Sequence, residues 1–439
     1  MTGVGAEAPA RTVARGARVN ALGVLARLAQ PLALVLLTRW YGPDQVGVYL
    51  LSVAVVETIA ALAASGMQDA LIAFLSPLEP ASPRAHALLA SGFVLAGAGA
   101  AAGLLLVLGA AALAPAWLPQ VASDSTLWRM APAVPLVAFT GLVVAATRAR
   151  FIQAWDVVLQ GAARPLLIVA FAAAFSFAGR TAGVLAAAYV AAHLALAAAA
   201  AAVFARHYPW SPVLRAARGL PIDRGLLAFA WPQNLNLALF ALSGSASVLA
   251  LGVAGLPARD VALFGAAFAI ASSLRHVRLV FTSAMSPVAA ALLARGDRPA
   301  LQDIMTRSAR WTLSLALPIA AAMVLARNPL LGIFHPTYAL GAVTMTLLVV
   351  GPVLNAVAGF SSTALIMAGH VGWNLGNTVV AVAATFVLTA LLAPGMGVPG
   401  AALAAALSGA LVATLQITET AVLVGVTPRP WGETVRSGQ

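Results

Sequence analysis

Four arginines, Arg27, Arg164, Arg275 and Arg278, fall inside stretches that are otherwise apolar, and these are the residues best placed to do chemistry. A charge at mid-bilayer costs from about 2.5 to more than 10 kcal/mol, so such a residue faces a partner or a wet cavity. The densest group is Arg275, His276 and Arg278, near the middle of an apolar run at 261–292. A helical spacing of three sets the two guanidiniums on neighbouring faces, one turn apart. Guanidinium forks match phosphate oxygens two at a time, so this pair is suited to hold a diphosphate. Two structural alternatives stand beside that reading: ion pairing with Glu57 or Asp69, or a later start of this span that leaves the group near the cytoplasmic mouth.

The remaining candidates are more ambiguous. Arg27 lies about eight residues into the apolar run that begins at Val19, where substrate contact and snorkelling to the interface are both open. Arg164 precedes Pro165 near a run's end, a position that favours snorkelling over ligand contact. Glu57 lies deep in an apolar run and either neutralises Arg27 or serves as a proton or sodium coupling site; Asp69 and Glu419 lie nearer run ends, where water satisfies them. Gln233, Asn234 and Asn236 open another run and suit either sugar hydroxyls or hydrogen bonds between helices.

The elements that position these residues follow from composition. Of 439 residues, 62% are hydrophobic and 9% charged, against roughly 25% charged in soluble domains. Apolar stretches of about 20 residues, the length needed to cross a 30 Å hydrocarbon core, recur along the whole chain. They are continuous and rich in Ala and Leu, as helices require, not alternating like barrel strands. All 25 basic residues are Arg, which excludes a GxxxxGK[ST] phosphate loop and a Schiff-base lysine. There is no Cys and no HExxH, so no thiolate metal site or zinc helix is expected, and no cofactor is implied. The net charge of +12 sits mostly in short loops, which points to membrane topology and away from nucleic acid.

Twelve spans are expected, near 19–38, 46–65, 87–114, 131–147, 157–178, 182–204, 226–251, 261–292, 311–327, 341–367, 373–393 and 399–424. An even number puts both termini on one side. That side carries sixteen loop arginines against five on the other, Arg39, Arg129, Arg180, Arg259 and Arg327, so it is expected to be cytoplasmic. The longest polar connection divides the chain into lobes at 1–205 and 226–439, with 206–225 as a cytoplasmic linker. VGVY at 46–49 and VALF at 261–264 each follow a Gly, Pro and Asp turn, a faint echo of duplication. Pro31, Pro232, Pro318 and Pro352 are candidate kinks, and Gly99 with Gly103 forms a close-packing GxxxG.

Several segments in order resemble the polysaccharide (O-antigen type) flippase branch of the multidrug/oligosaccharidyl-lipid/polysaccharide exporter superfamily. They are RWYGPDQVGVY at 39–49, LLAFAWPQNLN at 226–236, GVAGLPARDVALFGAAFAI at 252–270 with Ser286-Pro287, FHPTYALG at 334–341, SSTALIMAGHVGWN at 361–374 and GMGVPGAALAAALSG at 395–409. Tyr41 stands where that family usually has Leu, and Phe264 where it has Tyr. The resemblance implies an all-α integral membrane fold of two six-helix lobes, V-shaped and pseudo-twofold. It also implies alternating access that carries a polyprenyl-diphosphate-linked oligosaccharide from the cytoplasmic to the periplasmic leaflet of a bacterial inner membrane. In the related lipid II flippases, cationic residues on the first and eighth spans bind substrate, and Arg27 and Arg275 occupy similar stretches here.

On this reading the chain is not an enzyme. Its expected partners are a lipid-linked oligosaccharide, membrane lipids and polymerase or other envelope-assembly proteins, and it is expected to be a monomer. The competing expectations are an ion-coupled drug or metabolite exporter, against which basic span residues argue, and a membrane enzyme or scaffold of polysaccharide assembly, for which the loops are short.

Overall fold

The computed structural model describes residues 29–428 apart from 65, 123, 124 and 221, and among these it is helical with no strand. Arg27 lies outside the described residues. Eleven helical stretches among them are long and apolar enough to cross a membrane, corresponding in order to the second through twelfth expected spans. The protein is a multi-pass, all-α membrane protein.

The chain forms two compact units, Met1–Ala241 and Leu242–Gln439. In chain order the first holds α1 (Ala29–Tyr41), α2 (Pro43–Ala63), α3 (Met67–Leu75), α4 (Pro83–Trp117), α5 (Ala133–Arg148), α6 (Arg164–Phe175), α7 (Ala182–His207) and α8 (Trp210–Ala217). The boundary falls inside α9 (Arg224–Val253). The second unit continues with α10 (Ala258–Ser272), α11 (Arg275–Arg295), α12 (Arg298–Leu325), α13 (Ala342–Met367), α14 (Val371–Met396) and α15 (Val398–Glu419).

The corner between α1 and α2 shows how local sequence sets these elements. Gly42 adopts a positive φ of 82°, open to glycine, and Pro43 then starts α2 at the position where a missing N–H costs nothing. Tyr41, unusual at this place in the resemblance, donates its hydroxyl to the Ala172 carbonyl on α6 at 2.6 Å and so ties the corner to the bundle. Small residues bring helices together where lipid supplies no hydrophobic force. A Cβ on Gly103 of α4 would lie 2.6 Å from the Ala63 Cβ at the end of α2, so the expected glycine contact is a packing contact.

Residues 206–225 differ from a simple linker. They contain α8, whose Val213 is buried in the core of the first unit beside Leu89, Leu142 and Phe204. Trp210 stacks on Phe139 and packs tilted on Phe93 and Phe204, which themselves meet edge to face. Leu226 and Ala230 of α9 belong to the same core, which is why the first unit extends beyond the expected boundary at 205. Arginines dominate the charge of this segment, but its apolar side chains decide where it packs.

Asp223 fastens the start of α9. Its carboxylate accepts from Leu226 N at 2.9 Å and pairs with Arg84 of α4 at 2.8 Å. The Leu226 N–H, then the Arg84 charge, hold this carboxyl below the ordinary range. Its contribution is therefore whole above about pH 4 and is lost as pH falls through the depressed value. Asp223→Ala is expected to destabilise the protein by about 1 kcal/mol through the lost cap. Asp223→Asn should retain most of that; thermal unfolding of the two purified variants at neutral pH checks the difference.

The second unit departs from expectation in the eighth expected span. The run at 261–292 is two helices, with a break at Ser273 and Leu274. Tight bonds from His276 N to Ser273 O at 3.0 Å and from Val277 N to Leu274 O at 3.2 Å carry the chain across it. Its core, around Met285, Leu301, Met305, Phe360 and Leu365, lies on the far side of that break.

Candidate functional site

The break in the second unit determines where the cationic group sits. At 1.5 Å per residue, α10 is about 22 Å long, short of a roughly 30 Å core, and the stretch long and apolar enough to cross runs on to Leu279, past the first turn of α11. That turn holds Arg275, His276 and Arg278. Cations at a helix start run against the helix dipole, which favours negative charge there. The arrangement is therefore unfavourable for the protein by itself and favourable for an anion beside it.

Among the described residues neither Arg275 nor Arg278 has a carboxylate within ion-pair distance. Arg275 is exposed, with its guanidinium carbon 5.6 Å from the Phe268 ring centroid and only a long contact, 3.5 Å, from Nε to Ser272 O. His276 is half-buried, its Nδ1 3.1 Å from Ser273 O. Arg278 makes a marginal 3.5 Å contact from Nη1 to Thr282 Oγ1, while its buried Nε has no partner. Two guanidiniums thus retain most of their donors for a ligand.

Gly359 on α13 is a part of this site that sequence reasoning missed. A Cβ there would lie 2.6 to 2.7 Å from Cδ, Nε and Nη1 of Arg278, so the absent side chain is the space the guanidinium occupies. The clash is with the far end of a flexible side chain, so Gly359→Ala should fold normally and displace Arg278. The expected result is a fall in transport of about tenfold, equivalent to roughly 1.4 kcal/mol, with thermal stability little changed. Equal transport by Gly359→Ala and wild type would remove Gly359 from the site. Its only sequence signal is its place two residues before the SSTALIMAGHVGWN segment.

A second charged cluster lies in the first unit. Glu57 on α2 forms an ion pair with Arg164, the first residue of α6, after a widened helical turn at Val157–Ala163. Tyr189 on α7 donates to Glu57 Oε1 at 3.3 Å. His193 packs its ring 4.2 Å from that of Tyr189 and sets Nδ1 2.8 Å from Tyr189 O. Tyr49 meets Tyr189 edge to face at 6.1 Å. Arg164, a candidate both for snorkelling and for substrate contact, thus has a carboxylate partner inside the bundle. Tyr189 and His193, at helical spacing on one face of α7, were not anticipated; their i, i+4 placement in an alanine-rich run is the signal that marks them.

The other expected residues are scattered. Asp69 is half-buried in the first turn of α3, where a helix start favours its charge. On α9, Gln233 is half-buried and Asn234 buried, its Oδ1 without a partner. The backbone of Gly66 presses on α9 there, since a Cβ on it would fall 2.1 Å from Ala230 O. Glu419, expected to be satisfied by water near a span end, instead accepts from the buried Asn377 at 2.6 Å. Among the described residues no group of three or more His, Cys, Asp or Glu is placed to hold a metal.

No protein-family model and no curated protein matches the sequence. Solved structures do match. The lipid II flippase MurJ in an inward closed conformation superposes with a TM-score of 0.72 at 11% identity, over 92% of this chain and 87% of that one. The chain shares its fold with this structure. The MATE multidrug transporter DinF-BH matches at 0.66 and 14% identity over 95% of this chain and 96% of that one. An inward-facing multidrug resistance MATE family transporter of the MOP superfamily matches at 0.57 and 19% identity over 92% of this chain and 98% of that one. At these identities the likeness is one of fold, and an all-α transporter fold is what the ordered segments of the sequence implied.

Proposed function

We propose that the chain is a flippase that carries a polyprenyl-diphosphate-linked oligosaccharide from the cytoplasmic to the periplasmic leaflet of a bacterial inner membrane, for surface polysaccharide synthesis. The observation that supports this reading is Arg275 with Arg278: two intramembrane guanidiniums without a carboxylate among the described residues, one with a buried, unpartnered Nε. A lipid diphosphate supplies the missing charge and the missing acceptors. Organic cations would meet repulsion at the same place.

In the proposed cycle the diphosphate engages these arginines from the cytoplasmic side, and the sugar passes outward by alternating access while the polyprenyl tail stays in lipid. Moving each uncompensated negative charge outward gains about 2.3 kcal/mol per 100 mV of membrane potential, so no nucleotide is needed. Both termini lie in the cytoplasm on this reading, in line with the bias of loop arginines. The reading also takes the chain as a monomer that hands its product to envelope-assembly proteins. The test is lipid analysis of a deletion strain. Sugar-loaded polyprenyl diphosphate should accumulate on the cytoplasmic side and clear when the wild-type chain is restored; an unchanged lipid profile would sink the proposal.

The competing reading, a drug exporter, draws on the likeness to MATE folds. Expression in a drug-sensitive strain separates the two, because a flippase leaves inhibitory concentrations of cationic dyes unaltered.

A further inference from the structure

A surface at one end of the first unit is built from residues that the candidate site does not use. The C-terminus of α5, the C-terminus of α7 and the whole of α8 meet there. Arg150 Nη1 donates to His207 O at 3.0 Å, and Tyr208 donates to Ala146 O at 3.2 Å. Trp155 Nε1 lies 3.3 Å from His207 Nε2.

On this platform Arg148, Arg150, Arg206, Arg215 and Arg218 are all exposed, and none forms an ion pair among the described residues. Of the two carboxylates nearest in sequence, Asp156 and Asp223, the second is taken up by Arg84 and by the cap of α9. Interleaved with the arginines are large apolar side chains turned outward: Phe151 is 79% exposed, Leu220 70%, Ile222 61% and Leu214 55%. Phe151 and Leu220 also hold left-handed backbone, with φ of 60° and 46°, a conformation that bulky residues seldom adopt. Backbone bonds from Phe151 N to Arg148 O at 2.8 Å, Ile152 N to Thr147 O at 3.1 Å and Leu220 N to Ala217 O at 2.9 Å close the helix ends at these two residues, whose side chains are left outside. α8 is amphipathic in the same sense, with Val213 buried and Leu214 and Arg215 outside, as is Arg218 just beyond its end.

Apolar side chains beside unpaired arginines, at the ends of membrane-crossing helices, match the two layers of a bilayer interface, acyl chain and phosphate. An acidic soluble protein would match the arginines but would leave the outward Phe151, Leu220 and Ile222 unexplained. We propose that this platform is a binding surface for anionic phospholipid headgroups, with Phe151, Leu214, Leu220 and Ile222 inserted among the acyl chains and the arginines on the phosphates. Its function is to seat the first unit at a defined depth in the leaflet that holds these loops.

The test uses the purified full chain in nanodiscs of phosphatidylethanolamine with and without phosphatidylglycerol. Phosphatidylglycerol retained by the wild-type protein through purification should be enriched roughly tenfold over its share of the bilayer, and its thermal midpoint should rise when that lipid is added. Arg206→Gln with Arg215→Gln and Arg218→Gln should bring the enrichment to about twofold, without altering the midpoint in phosphatidylethanolamine alone. Should that variant fold poorly, the wild-type protein still decides the matter, because retention by this surface must fall as salt rises. Equal retention of the two lipids by the wild-type chain overturns the proposal, as does enrichment indifferent to salt, or capture of an acidic soluble protein without any lipid preference.

Discussion

Arg275→Gln combined with Arg278→Gln should abolish transport of lipid-linked oligosaccharide while leaving the protein folded, inserted and at least as stable as wild type. The two halves of that expectation rest on one fact, that these guanidiniums have no carboxylate partner among the described residues. A cation held for structure is paired, and removing one partner of a buried pair costs about 3–5 kcal/mol. A cation held for a ligand is a burden until the ligand arrives, so neutralising it relieves desolvation and helix-dipole repulsion. Purified variant and wild type should therefore be compared twice, by thermal unfolding and by movement of a fluorescent lipid diphosphate in proteoliposomes. Full transport by the variant ends the assignment. Lost transport with a large fall in stability would make the arginines structural.

Glu57→Gln is expected to behave in the opposite way. Arg164 would remain inside the bundle without its counter-charge, and Tyr189 would keep only a neutral acceptor. The side chains of the pair are about a third exposed, at 30% and 34%, so the cost expected for a buried pair is reduced to about 1–3 kcal/mol. Adding Arg164→Gln should restore most of the loss, because the uncompensated charge is then gone. Thermal unfolding of the two single variants and the double variant forms a cycle in which a coupling energy near zero would show the pair to be incidental. If Glu57 instead serves coupling, the double variant should regain stability but not transport, which makes the proteoliposome assay the deciding measurement for that role.

The readings that survived the structure were those that depend on composition and local chemistry. Continuous apolar runs commit the backbone to helices because lipid offers no other partner for N–H and C=O, so the order of the spans was legible along the chain. The corner at Gly42 and Pro43 was legible for the same kind of reason, since only glycine accepts that φ at no cost and proline suits the first helical position. That Arg275 and Arg278 are unusual was visible from the price of charge in lipid.

What the sequence could not tell was which distant groups share a neighbourhood. Glu57 was legible as a carboxylate in need of a partner, but its choice of Arg164 follows from the packing of α2, α6 and α7. Continuous hydropathy concealed the break at Ser273 and Leu274, because a kink that satisfies its own backbone leaves no gap in apolar character. Residues 206–225 looked like a tether because their charge is obvious, whereas the burial of Trp210 and Val213 is a property of the surfaces they meet. Gly359 is the clearest case: an ordinary glycine in an apolar helix becomes the space for a guanidinium only when α13 lies against α11. Hydropathy and backbone chemistry act over a few residues and can be read in order. Contacts between side chains depend on how helices are rotated and set against one another, and that exists only in three dimensions.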